Sequence, residues 1–170
     1  YISCIGVGQD GSCNGLQHYA GMLRDTKMAE NVNVASRDKR GDIYTVVKDY
    51  VNELINQDYN TTNDKNIKHM STKIKDKITR KIIKQTVMTS VYGVTNYGAK
   101  AQVKKWLVDA INSNNLDGFD LSTEDGTSEI AKISSYIATH TVNAIGKANT
   151  PAYLTMLWLR DCAALIASHG

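Results

Sequence analysis

Long apolar runs are missing from this sequence. None approaches the eighteen or more residues that a membrane-spanning helix needs, which argues against insertion into a bilayer. Cysteines are few. Cys4, Cys13 and Cys162 are odd in number and widely spread, so they offer neither a metal-ligand spacing nor a paired-disulfide framework. Packed thiols in a reducing compartment are the simplest reading. No stretch reads as a secretory signal, so the glycosylation pattern at Asn60-Thr61-Thr62 has no secreted context. The one proline, Pro151, follows Thr150, and that pair marks a helix start with Thr as the cap. The chain does not begin with Met and opens inside an apolar run, so we read it as an internal fragment of a longer protein.

Charge is nearly balanced in total and unbalanced in place. The 170 residues carry a net +3. Residues 65–84 hold eight Lys or Arg against one acid, Asp76, a balance of +7, so the rest sums to −4. Asp117, Asp120, Glu124, Asp125 and Glu129 form the acidic counterweight. Such asymmetry points to a local anionic partner, with a solvated helix face as the plain alternative.

Periodicity yields one strand and five or six helices. Residues 2–8 are uncharged, β-branched and small, as in a buried strand that ends at Asp10. Ser12 or Asn14 is expected to cap the next helix, whose inner face is Leu16, Tyr19, Ala20 and Leu23. Asp42 starts another helix, with Ile43, Val46, Val47, Tyr50, Val51 and Leu54 as its stripe and Tyr44 off centre, facing a groove. Residues 56–71 are rich in Asn, Thr, Asp and Lys and read as a variable loop. One helix is expected over 72–91, burying Ile74, Ile78, Ile82 and Val87. Others follow over 99–111, from Ser128, and from Thr150, the last burying Leu154, Leu157, Trp158 and Leu165.

Two stretches carry chemistry. The first is Asp10-Gly11-Ser12-Cys13-Asn14-Gly15, a carboxylate at a tight turn before a helix. The second runs from Arg80 to Gly93. There Arg80, Lys84 and Met88 recur at i, i+4 and i+8 along one helix line, and Tyr92 stands near its edge. Two cations one turn apart repel on an empty surface, and they suit a polyphosphate laid across them. His18, inside a helix eight residues beyond Asp10, reads as structural.

Residues 9–19, Gln-Asp-Gly-Ser-Cys-Asn-Gly-Leu-Gln-His-Tyr, closely resemble the first catalytic motif of the single-subunit DNA-directed RNA polymerases of bacteriophage and mitochondria. Lys84-Gln85-Thr86-Val87-Met88-Thr89 and the Val-Tyr-Gly-Val-Thr at 91–95 are similar to the second motif, in its mitochondrial form. Asp42-Ile43-Tyr44 also resembles a family segment. The resemblance implies a mostly α fold with a short palm β-strand, part of a right hand of palm, fingers and thumb. Residues 1–71 would be a palm segment with a variable loop, 72–98 the fingers helix and turn, and 99–170 helical scaffold.

It also implies roles. Asp10, with the Gly11 carbonyl beside it, would bind Mg²⁺, one of two ions in the complete enzyme. Lys84 would sit on the triphosphate and Arg80 on its distal phosphates. Tyr92 would sense the ribose 2′-position, Met88 would pack near it, Tyr44 would support the sugar, and Tyr97 would stack on the template. The partners implied are a DNA template, the RNA product, ribonucleoside triphosphates and mitochondrial transcription factors. The implied location is the mitochondrion, and an organellar plasmid could encode the chain. The family's third motif, His-Asp-Ser, has no match: His140 precedes Thr141 and His169 precedes Gly170. The fragment is therefore expected not to polymerise alone. A DNA polymerase of the same superfamily and a non-catalytic nucleic-acid-binding remnant are the competing readings.

Overall fold

The computed structural model describes residues 4–6, 8, 10–113 and 115–169. Among them are eight helices: α1 (Asn14–Leu23), α2 (Thr26–Asn31), α3 (Ile43–Thr61), α4 (Lys65–Ile74), α5 (Arg80–Ser90), α6 (Asn96–Asn112), α7 (Glu124–Ala148) and α8 (Thr150–His169). Helix starts are set by short polar side chains. Asp25, Asp42, Asp64, Thr95 and Thr123 each accept a backbone N–H of the first turn, of α2, α3, α4, α6 and α7 respectively.

Helix α7 is the central element and packs against α3, α5 and α6. It presents Ile130, Ile133, Ile137, Ala144 and Ile145 at helical spacing. Ile43, Val47, Val51 and Ile55 recur every fourth residue on α3 and meet it. Ile82, Ile83 and Val87 of α5 and Val103 and Leu107 of α6 complete the core. Buried Thr86 is satisfied in the α5–α6 seam, where its hydroxyl donates to Gln102 Oε1 at 3.1 Å.

Several expectations are corrected. The described residues contain no strand. Cys4, Ile5, Gly6 and Gly8 are exposed and without regular structure, while Ile2, Ser3 and Val7 lie outside the described residues. A β-branched run settles as a strand only beside another strand, and the described residues contain none. The palm strand and the right-hand fold class are thus replaced by an all-helical assembly among the described residues.

The variable loop expected over 56–71 is largely helix, because α3 runs on to Thr61 and α4 begins at Lys65. The single helix expected over 72–91 is broken at residues 75–79, where Asp76 takes a left-handed φ of 61°. Neither Ser12 nor Asn14 caps α1; Cys13 stands at that position without a side-chain cap. Helix α7 starts at Glu124, earlier than Ser128. On α8, Leu154, Trp158 and Leu165 are exposed instead of buried, and Leu157 is half-buried. Its apolar residues run round the helix, so one neighbour cannot cover them, and Ala152 near its start is the residue it buries. Cys4 is exposed, not packed. No helix of the described residues is long and apolar enough to cross a membrane.

Candidate functional site

The Asp10 turn is held from three sides. Asn33 Nδ2 donates to Ser12 Oγ and to the Gly41 carbonyl, both at 3.0 Å, and the Gly41 N–H donates to Asn33 Oδ1 at 2.7 Å. The Tyr44 hydroxyl donates to the Ser12 carbonyl at 3.2 Å. Gln17 Nε2 donates to the Val32 carbonyl at 2.7 Å, which ties α1 to the end of α2. Asp10 itself is exposed; its Oδ1 accepts from the Gly11 N–H at 2.8 Å and from Asn14 Nδ2 at 3.3 Å. Gly15 brings this turn against α5, since a Cβ there would run into the Val91 side chain.

That approach closes a cleft of about 260 Å³. Asp10, Gly11, Tyr44, Arg80, Lys84, Met88 and Tyr92 all line it. Residues seventy positions apart in sequence therefore share one cavity. Tyr97 does not line it: it is 84% exposed, in the first turn of α6.

The two cations that α5 brings to the cleft differ in surroundings. Arg80 Nε donates to Asp42 Oδ2 at 2.7 Å and its Nη2 donates to Oδ1 at 3.3 Å. Its guanidinium carbon lies 4.7 Å from the centre of the Tyr44 ring. Lys84 Nζ lies 5.9 Å from the same ring and makes no ion pair with a described residue. Burial works to raise the Asp42 carboxyl, but hydrogen bonds from Arg80 and Thr45 and the Arg80 charge outweigh it and hold it below the usual carboxylate range. Burial, then the neighbouring Cys13 thiol, push the Tyr44 hydroxyl well above its ordinary value. Tyr44 is thus a neutral donor, buried rather than off the packed face. Met88 and Tyr92 are exposed at the rim, Tyr92 by 74%.

The sequence of residues 1–169 matches the family model described as DNA-dependent RNA polymerase. The chain belongs to that family, in its single-subunit phage and mitochondrial type. The mitochondrial DNA-directed RNA polymerase 1 of Nicotiana sylvestris is 38% identical over 171 residues, 99% of this chain and 16% of that protein. The chloroplastic DNA-directed RNA polymerase 3 of the same plant is 39% identical over the same shares. The mitochondrial polymerase of Schizosaccharomyces pombe is 35% identical, over 98% of this chain and 13% of its own length. The chain spans about a sixth of the length of the plant polymerases it matches.

Within this polymerase segment, no group of three or more His, Cys, Asp or Glu residues converges among the described residues. Asp10, the one carboxylate among the residues lining the cleft, is a single hard oxygen donor and does not by itself make a cation site. Sequence reasoning missed three contributors. Asn33 and Arg40 precede α3 and carry no pattern that marks them, yet Arg40 lines the cleft beside Tyr44. Asp42 reads as a helix start and as part of a family-like segment; its spacing from Arg80 gives no sign that the two pair.

Proposed function

We propose that this chain is the nucleotide-receiving segment of an organellar, DNA-directed RNA polymerase. The observation that carries the reading is the single cleft shared by Asp10, Tyr44, Arg80, Lys84, Met88 and Tyr92. A carboxylate, three cations (Arg40, Arg80 and Lys84) and two tyrosines around one small cavity match the needs of a ribonucleoside triphosphate. In the reaction, the RNA 3′-oxygen bonds to the α-phosphorus and the bond to the β-phosphate bridge breaks, releasing pyrophosphate.

Lys84, without an ion pair, offsets charge growing on the leaving phosphates. Arg80 takes the distal phosphates with its fork, which a lysine could not reproduce. Tyr92 hydrogen-bonds the ribose 2′-hydroxyl, so a deoxy substrate leaves a polar group unpaired. Met88 packs beside it, Tyr44 supports the sugar, and Tyr97 stacks on a template base outside the cleft. Asp10 and the Gly11 carbonyl would hold Mg²⁺, which when bound stabilises charge on the attacking and leaving oxygens. Residues 1–71 and 72–98 carry the two motif-bearing segments, and 99–170 support them. The partners are template DNA, product RNA and ribonucleoside triphosphates, with organellar transcription factors for the whole polymerase. The mitochondrial and chloroplastic names of the relatives support an organellar setting.

The test is made in the full-length polymerase. Asp10→Asn abolishes nucleotide incorporation and leaves DNA binding intact; retained incorporation refutes the ligand role. Tyr92→Phe relaxes selection against deoxyribonucleotides far more than it slows ribonucleotides, measured by single-nucleotide incorporation. Unchanged selection refutes the sensor role and reopens the DNA-polymerase reading.

A further inference from the structure

We propose that Asp42 is a positioning residue that aims Arg80 at the phosphates of the incoming nucleotide, an inference that rests on the triphosphate reading of the cleft. Asp42 is fixed before any ligand arrives. As the N-cap of α3 its Oδ1 accepts from the Tyr44 N–H at 3.1 Å and the Thr45 N–H at 3.4 Å, and its Oδ2 accepts from Thr45 Oγ1 at 3.0 Å. The helix N-terminus favours the ionised form held there. The carboxylate then grips Arg80 side-on, through Nε at 2.7 Å and Nη2 at 3.3 Å.

Side-on pairing has a stereochemical consequence. A guanidinium carries five N–H groups in one plane. Asp42 engages the Nε/Nη2 edge, and the Tyr44 ring lies 4.7 Å from the guanidinium carbon. The end-on edge, Nη1 and the second Nη2 hydrogen, makes no hydrogen bond to a described residue. That free edge is a second fork, matched in shape to two phosphate oxygens. Tyr44 is rooted in turn on the Ser12 carbonyl of the Asp10 turn at 3.2 Å. The direction of Arg80 is therefore referred to the turn that bears Asp10 as well as to α3. A long side chain that is 43% exposed would otherwise sample many rotamers, and holding it in advance lowers the ordering cost of binding.

The expected effect of removing Asp42 is opposite in sign to simple electrostatics. Asp42 is a negative charge beside an anion site, so on Coulomb grounds alone its removal strengthens anion binding. If it positions Arg80, its removal weakens binding. Asp42→Asn separates the two duties, because Asn caps a helix as well as Asp does but cannot form the charged bidentate grip.

The experiment titrates the 170-residue chain with inorganic tripolyphosphate by calorimetry, with melting temperatures recorded alongside. The expected result is a loss of roughly tenfold in affinity for Asp42→Asn at an unchanged melting temperature. In an Arg80→Gln background the same substitution adds nothing further. If Arg80→Gln weakens binding but Asp42→Asn leaves it unchanged or tightens it, the positioning role is wrong and the triphosphate reading stands. If the chain does not bind tripolyphosphate, or binds it equally well with Arg80→Gln, the triphosphate reading fails and the proposal falls with it.

Discussion

The basic segment of 65–84 divides at residues 75–79, and its two halves use the same charge differently. On the α4 side, cations are occupied by the protein itself. Lys68 and Lys75 lie over the Tyr59 ring at 4.4 and 4.1 Å, and Lys68 also donates to the Tyr59 carbonyl. Lys73 pairs with Glu129 at 3.2 Å and donates to the Gly118 carbonyl at 3.0 Å. Lys77 donates to the Asp117 carbonyl at 3.3 Å. On the α5 side, Lys84 faces the cleft without an ion pair, and Arg80 keeps one edge free. The acidic stretch of 117–129 is thus in part the anionic partner of the basic one, within a single chain. A cluster of +7 in sequence is not a binding surface of +7 in space; what matters is which cations remain uncompensated after folding.

The contrast depends first on α5 being seated. Ile83→Ala removes a fully buried side chain from its inner face and costs about 2–5 kcal/mol in urea unfolding; a loss under 1 kcal/mol would mean that α5 is loosely held. Gly15→Val forces a collision with Val91 and costs about 1–3 kcal/mol, with the Asp10 turn displaced from α5. The functional half of the contrast is sharpened by pairing two lysines. Lys84→Ala weakens tripolyphosphate binding roughly tenfold, whereas Lys75→Ala leaves it within about twofold; equal effects would erase the distinction.

The structural half is smaller. Lys73→Ala lowers stability by at most about 1 kcal/mol, since its pair with Glu129 is only partly buried. Acid should weaken the fold in two steps, the second of them at the compensated side. Burial holds the His140 imidazole below its ordinary 6.5, against the pull of Asp58, so the folded state takes up a proton less readily than the unfolded one. That contribution is whole above the ordinary value and is lost as pH falls below it. His140→Asn removes this first step from a plot of melting temperature against pH. Hydrogen bonding from His69, then Lys73, outweighs burial and holds Glu129 below its ordinary value. Its contribution persists above the carboxylate range and is lost only as pH falls through its lowered value. Glu129→Gln removes that second, more acidic step.

Caps were legible in part. Asp42 announced α3, and the Thr123 cap of α7 was overlooked only because the surrounding residues are polar and acidic. Helix α4 was hidden for a similar reason. Its few apolar residues include Ile67, Met70 and Ile74, and it is secured by the Asp64 cap, buried Ser71 and its packing on α3 and α7. Composition sees the polar majority and not the cap. The buried positions Ile74, Ile78, Ile82 and Val87 were legible across a helix that in fact breaks, because the break leaves Ile74 and Ile78 facing inward. The opening run misled in the other direction: β-branched residues describe what a strand prefers, not whether a neighbour exists to pair with it. At the cleft, residue types and spacing singled out Asp10 and the line of Arg80, Lys84, Met88 and Tyr92, but not Arg40, which lines it too. The Asp42–Arg80 pair links residues 38 positions apart, and no local pattern encodes such a contact.

The unequal setting of the two tryptophans gives the chain its own optical gauge. Trp106 on α6 is partly covered, with its indole nitrogen fully shielded, while Trp158 on α8 is 63% exposed. Emission should therefore divide into a blue component from α6 and a red one from α8. Iodide should quench the red component first. A partner that covers α8 would shift the red component alone, and loosening of α6 would shift the blue, so one cuvette can report on both without a label.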